Sequence, residues 1–174
     1  MKVMDRTLEN RATLGQQLID SATDGRMASD AEGGRAWVGF LRSHAAVLRL
    51  LDTELRREAC LPLVDFDVLI QLALAEGGEL RMTDLARRTL VSRSGMTRRV
   101  AELEREGLVT RCSATGDGRS VRASLTPAGE EVLRRAVPVH MRGIERHFLD
   151  RLTSEQLSAL RGAVTALQVE CDFG

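Results

Sequence analysis

Arg93, Ser94, Thr97 and Arg98 fall within six residues of one helix-forming segment. The arginine fork donates in parallel pairs, and a hydroxyl both donates and accepts. Such a set at the start of a helix could address base edges in a duplex. Arginine suits the two acceptors of guanine, and Ser or Thr can read either polarity. Ser92, just before, is a good N-cap, and with the helix N-terminus it also suits a phosphate. Gly95 permits close backbone approach, and Arg99 adds another cation. Further on, the turn-forming run SATGDG leads into Arg119. Arg119 could enter a narrow minor groove, with Asp117 orienting its guanidinium.

The charge of the chain concentrates around these residues. Residues 81–125 contain ten arginines and five acids, a net +5, while the whole chain is formally neutral. A basic module beside an acidic remainder is the pattern expected of a double-stranded DNA reader on a separate scaffold. Lys2 is the only lysine among 25 basic residues, so arginine would make the phosphate contacts. Aromatic content is 3% with no tyrosine, which argues against stacking on single strands.

Several elements must position those side chains. Leu85, Ala86 and Leu90 mark a helix near 82–89. After a short turn a second helix runs from Ser92 to about Glu106, with Met96, Val100 and Leu103 facing inward and Gly107 closing it. Leu80-Arg81, Leu108–Cys112 and Ser120–Leu125 read as strands. Upstream, Trp37, Phe40, Leu41, His44, Leu48, Leu51 and Leu55 form one apolar stripe on a long helix ended by Leu61-Pro62. A shorter helix through Phe66, Leu69 and Leu72 stops at Gly77-Gly78. Downstream, Thr126-Pro127 starts a long helix reaching about Leu149, with a kink expected at Pro138. Thr153-x-x-Gln156 reads as a capping box for a last amphipathic helix, and Ser29-x-x-Glu32 as another near the start. The expected fold is mainly α with a small β-wing. Residues 61–125 form a winged helix-turn-helix module, and 29–60 with 126–174 form a helical dimerisation lobe. Residues 1–28 read as an arm or short helix.

Residues 63–133 resemble the MarR family of bacterial transcription regulators. The resemblance rests on LVDFDVL (63–69), MTDLARR (82–88), SRSGMTRRVAELEREGLVTR (92–111), the D-x-R of the wing and LTPAGEEVL (125–133), in that order and spacing. With the flanking helices it covers roughly residues 36–172. It implies a homodimer on pseudo-palindromic operators, usually released by a ligand or oxidant, with repression as the expected sign. The chain departs from several sensing subclasses. It lacks the tyrosines that accompany the reactive cysteine of peroxide sensors, and Cys60 stands at the far end of the first long helix. It also has no tryptophan within residues 1–28, where urate-responsive relatives carry one.

Other chemistry is weakly supported. No nucleophile motif, P-loop or dinucleotide fingerprint is present, so an enzyme is not expected, and neither is a cofactor. His140 and His147 share a helix face but stand two turns apart, too far to chelate one metal ion. Trp37, Phe40, His44 and Phe66 are plausible liners of an effector pocket, although ordinary packing also explains them. Cys60, Cys112 and Cys171 are widely spaced and fit reduced thiols. A redox-responsive regulator using Cys60, or an adaptor that has lost DNA binding, are the alternatives. No apolar run is long enough to span a bilayer and the first residues lack a signal's apolar core, so a cytoplasmic protein without a membrane partner is expected.

Overall fold

The apolar spacings become six α-helices and three strands among the described residues of a computed structural model, which are 31–89, 93–113 and 121–168. The order is α1 (Ala31–Ala59), α2 (Leu63–Ala73), β1 (Glu79–Arg81), α3 (Met82–Arg88), α4 (Arg93–Arg105), β2 (Val109–Ser113), β3 (Val121–Leu125), α5 (Pro127–His147) and α6 (Ser154–Gln168). Short 3₁₀ turns occupy Glu76–Gly78 and Leu149–Arg151. The mainly α fold with a small sheet is the one expected. The N-terminal arm, Ser29 of the first capping box, Ser92, the wing tip with Asp117 and Arg119, and Cys171 lie outside the described residues.

The chain divides into two compact units, Met1–Ala46 and Val47–Gly174, with the boundary inside α1. In the first unit Trp37, Val38, Phe40 and Leu41 of α1 are all close to half exposed. The apolar stripe of that helix is buried only further along, at Leu51 and Leu55. The core of the second unit gathers Leu55, Phe66, Leu69 and Leu72 with Leu85, Met96, Val100 and Leu103, and then Val109, Ala123, Leu133 and Val139. The four residues expected to build the winged module, Leu85, Met96, Val100 and Leu103, are essentially inaccessible to solvent.

Local chemistry fixes the joints. α1 ends at Ala59, two residues before the expected stop, because Cys60 takes a left-handed conformation (φ 53°). Such a φ is uncommon for a residue with a Cβ and turns the chain sharply. Pro62 then precedes α2 and offers no side-chain cap. Instead Asp52, eleven residues back on α1, accepts the Leu63 N–H on Oδ1 at 2.8 Å while Oδ2 receives Arg56 Nε at 2.6 Å. Both contacts hold the Asp52 carboxyl below its usual range, against the opposing effect of burial. At the far end of the chain, Thr153 N–H donates to Gln156 Oε1 and Gln156 N–H donates to Thr153 Oγ1, closing the expected capping box. α5 runs unbroken through Pro138, which lies on its exposed face.

The sheet is antiparallel with order β1-β3-β2. Five pairs, from Val109↔Leu125 to Ser113↔Val121, set the β2–β3 register, and Leu80↔Ala123 sets that of β1. Both strands therefore turn Val109 and Ala123 into the core.

Candidate nucleic-acid interface

α4 is amphipathic in a way that separates packing from display. Met96, Val100 and Leu103, at steps of four and three, are buried. Ser94, Thr97, Arg98 and Arg105 are exposed, and their spacing puts them along the other face. The helix closes with a tight reversal. Gly107 takes φ 74°, its N–H donates to Glu104 O at 3.0 Å, and Leu108 N–H donates to Leu103 O at 2.9 Å. Only a residue without a Cβ takes that left-handed position cheaply.

The end of α4 is also stitched to the start of α5. Thr126 Oγ1 donates to Gly107 O at 2.6 Å and accepts the Gly129 N–H at 3.1 Å, so one hydroxyl serves both helices. Thr126 N–H donates to Leu108 O at 3.1 Å. A Cβ on Gly129 would overlap that same Leu108 oxygen, a backbone atom with no freedom to move aside. This explains a glycine in the first turn of a helix, where propensity alone disfavours it.

The arginines of the module sort into two groups. Arg87 pairs with Asp84; Arg99 with Asp65 (3.0 Å) and Glu102 (2.7 Å); Arg111 with Glu104; and Arg122 with Glu79 at 2.7 Å. The Arg111 pair is reinforced by its own N–H, which donates to Glu104 Oε1 at 3.2 Å and ties β2 to α4. The Glu104 carboxyl is held below its usual range by the Arg111 side-chain bond. Arg81, Arg88, Arg98 and Arg105 are exposed and make no ion pair with a described residue. Thus Arg98 presents its donors outward, whereas Arg99, its neighbour in sequence, spends them inside the protein.

The expected pocket residues belong to both units. Trp37, Phe40 and His44 form a ladder of rings one helical turn apart on α1, with centroids 6.3 and 6.2 Å apart, and all three are exposed. Phe66 is buried in the core of the other unit, its ring 4.4 Å from that of His140. Burial lowers the His140 pKa, and its Nδ1 is buried without a hydrogen-bond partner. Of the cysteines, Cys60 and Cys112 are exposed free thiols. Among the described residues no group of His, Cys, Asp or Glu is arranged to hold a metal ion, and no helix is long and apolar enough to cross a membrane.

Four residues that organise this surface are not singled out by sequence patterns: Asp65, Glu79, Glu104 and Gly129. Asp65 had a readable signal. It stands four and seven residues before Leu69 and Leu72, so a carboxylate occupies the apolar stripe of α2. The partners of Glu79 and Glu104 come from other elements, and no local spacing reveals them.

Comparison with known proteins gives a consistent result. A MarR family model matches residues 61–120. The structure of Sco3205 from Streptomyces coelicolor, a MarR family transcriptional regulator solved in complex with DNA, is 36% identical in sequence. The match covers 80% of this chain and 87% of that one, with a TM-score of 0.74. AbsC, another MarR family regulator of Streptomyces coelicolor, is 30% identical over 80% of this chain and 93% of its own, with a TM-score of 0.73. An uncharacterized HTH-type transcriptional regulator of Bacillus cereus is 28% identical over 139 residues, 80% of this chain and 90% of its own.

Proposed function

The chain belongs to the MarR family of transcriptional regulators, DNA-binding proteins of the winged-helix type, and from that premise we propose how it reads its target. α4 lies in the major groove with its first two turns toward the bases. Arg93 and Arg98 address guanines, Ser94 and Thr97 read neighbouring edges, and Ser92 with the helix N-terminus binds phosphate. Asp117 and Arg119 belong to the wing and work the adjacent minor groove. The observation that carries this reading is the state of Arg98. It is exposed and without an ion-pair partner among the described residues, on a helix whose opposite face is fully buried.

The protein acts as a homodimer on a pseudo-palindromic operator. Support comes from apolar side chains that a single chain leaves in water: Trp37, Val38, Phe40 and Leu41 on α1, and Val164 and Leu167 on α6. Repression, release by a small-molecule effector, a cytoplasmic setting and the absence of catalysis complete the proposal, and these rest on family membership. The adaptor alternative has less support, because the exposed arginines of α4 have no evident role in a fold that does not bind DNA.

Selection of duplexes from a random pool by the full-length protein tests the reading. Enrichment of a two-fold-related sequence with a guanine contacted by Arg98 is expected. If no duplex is enriched over the starting pool, the proposal is wrong.

A further inference from the structure

We propose that Asp65 is a positioning residue for α4: by holding Arg99 it seats the helix that reads DNA, and so sets operator affinity without touching DNA. The inference rests on the DNA-binding reading above.

Asp65 is 5% exposed and lies on the buried stripe of α2. Arg99 Nε stands 3.0 Å from its Oδ1, but not in line for a hydrogen bond, and that buried oxygen has no hydrogen-bond partner. The contact is therefore an ion pair made in a confined space, where charge attraction is strong and geometry is fixed by the surrounding packing. Arg99 NH1 is meanwhile held by Glu102 at 2.7 Å. One guanidinium thus bridges a carboxylate on α2 and a carboxylate on α4. Asp65 is itself well anchored, because Leu63, two residues earlier in the same turn, is fixed by the Asp52 carboxylate of α1. The first turn of α2 thus joins, through its backbone, the Asp52 carboxylate of α1 to the Asp65–Arg99–Glu102 cluster on α4. Arg99 stands one residue from Arg98 and two from Thr97.

Stability does not explain this arrangement. The charged groups facing Asp65 are Arg99 and Glu102 on α4, Glu106 just past its end, and Arg56 on α1. Burial, aided by the two glutamates and opposed by the arginines, pushes the Asp65 pKa up to about 6. The sign follows directly. A carboxyl raised above its unfolded value of 3.8 favours folding when protonated; that contribution is complete below 3.8 and is lost as pH rises through about 6. Near neutral pH the ionised Asp65 is a cost to the fold, and what it supplies in return is its grip on Arg99.

The test uses the full-length protein and a duplex that the wild type selects from a random pool. Affinities of wild type, Asp65→Asn, Arg99→Gln and the double variant are measured by fluorescence anisotropy over a salt series, with thermal melts alongside. Asp65→Asn is expected to bind about tenfold more weakly, with an unchanged salt slope because no phosphate contact is lost. It should melt no lower than wild type at about pH 7.5. The double variant should bind no more weakly than Arg99→Gln alone, since both changes remove one interaction. The advantage of wild type over Asp65→Asn should shrink as pH falls to about 5.5, where Asp65 takes up its proton.

Binding by Asp65→Asn within about twofold of wild type, losses that multiply in the double variant, or a pH-independent gap each overturn the proposal. So does an Asp65→Asn protein that melts lower and loses selected and random duplexes alike, because a general packing role then explains it. If the wild type selects no duplex, the DNA-binding reading fails first and this inference falls with it.

Discussion

His147 Nε2 donates to Glu54 Oε1 at 2.9 Å, joining α5 to α1 by a contact almost withdrawn from solvent on both sides. Arg146 NH1 donates to the same oxygen at 2.9 Å. The His147 bond is the main cause that holds the Glu54 carboxyl below its usual 4.5, with burial acting the other way. A depressed carboxyl supplies stability that is present above its unfolded value and is lost as pH falls through its folded one. Glu54→Gln should therefore lower stability at neutral pH by on the order of 1 kcal/mol. The gap to wild type should close in the acid range below 4.5. Denaturant titrations at both pH values check it, and a gap that persists in acid would mean that the lost contact is not ionic.

Gly129→Ala should destabilise the protein by about 1–3 kcal/mol, because the added methyl meets the fixed Leu108 carbonyl. Gly143→Ala is the comparison. Its Cβ would lie 2.6 Å from Leu51 Cδ2 and 3.0 Å from Glu54 Oε2, side-chain atoms rather than backbone. The smaller loss is expected there, and chemical denaturation of both variants decides the order.

Arg98→Ala should weaken operator binding by about 1–3 kcal/mol and relax base preference at a single position. Arg119→Ala should also weaken it, and should lower the salt slope as expected for a groove cation near phosphates. Titration on selected and random duplexes separates the roles. Equal loss on both for Arg98→Ala reduces that residue to a phosphate contact.

A homodimer predicts a single sedimenting species near twice the 19.1 kDa of the chain. Trp37→Glu, a charge placed in the exposed ladder of α1, should shift the protein toward monomer and weaken duplex binding with it. A stable wild-type monomer at micromolar concentration would contradict the assignment.

Much of the module was legible from periodicity. Met96, Val100 and Leu103 repeat at helical steps, Gly107 follows the last turn, and Thr126-Pro127 opens the next helix. Each signal is local, and local sterics enforce it. The long-range chemistry was hidden. Ten arginines read as one basic patch, but four of them are turned to Asp84, Asp65 with Glu102, Glu104 and Glu79. Apart from Asp84 and Glu102, those acids come from other elements, so only the folded chain shows which cations are committed. The early stop of α1 was hidden for another reason. Cys60 adopts a backbone conformation that its residue type does not announce. The stripe from Trp37 to Leu55 is helical, as its spacing predicts, but periodicity does not say which part of a stripe is covered.

The stitch at Gly107, Leu108, Thr126 and Gly129 has a consequence for how this protein can diversify. The hairpin leaves and returns at one clamped point, and its ladder is in register from Val109↔Leu125 outward. Beyond the ladder, lengthening a loop is cheap, about 0.6 kcal/mol for each doubling. A change in the number of residues between Ser113 and Val121 therefore leaves the clamp that frames α4 intact, so the reach of the chain there can alter without rebuilding the helix that it accompanies.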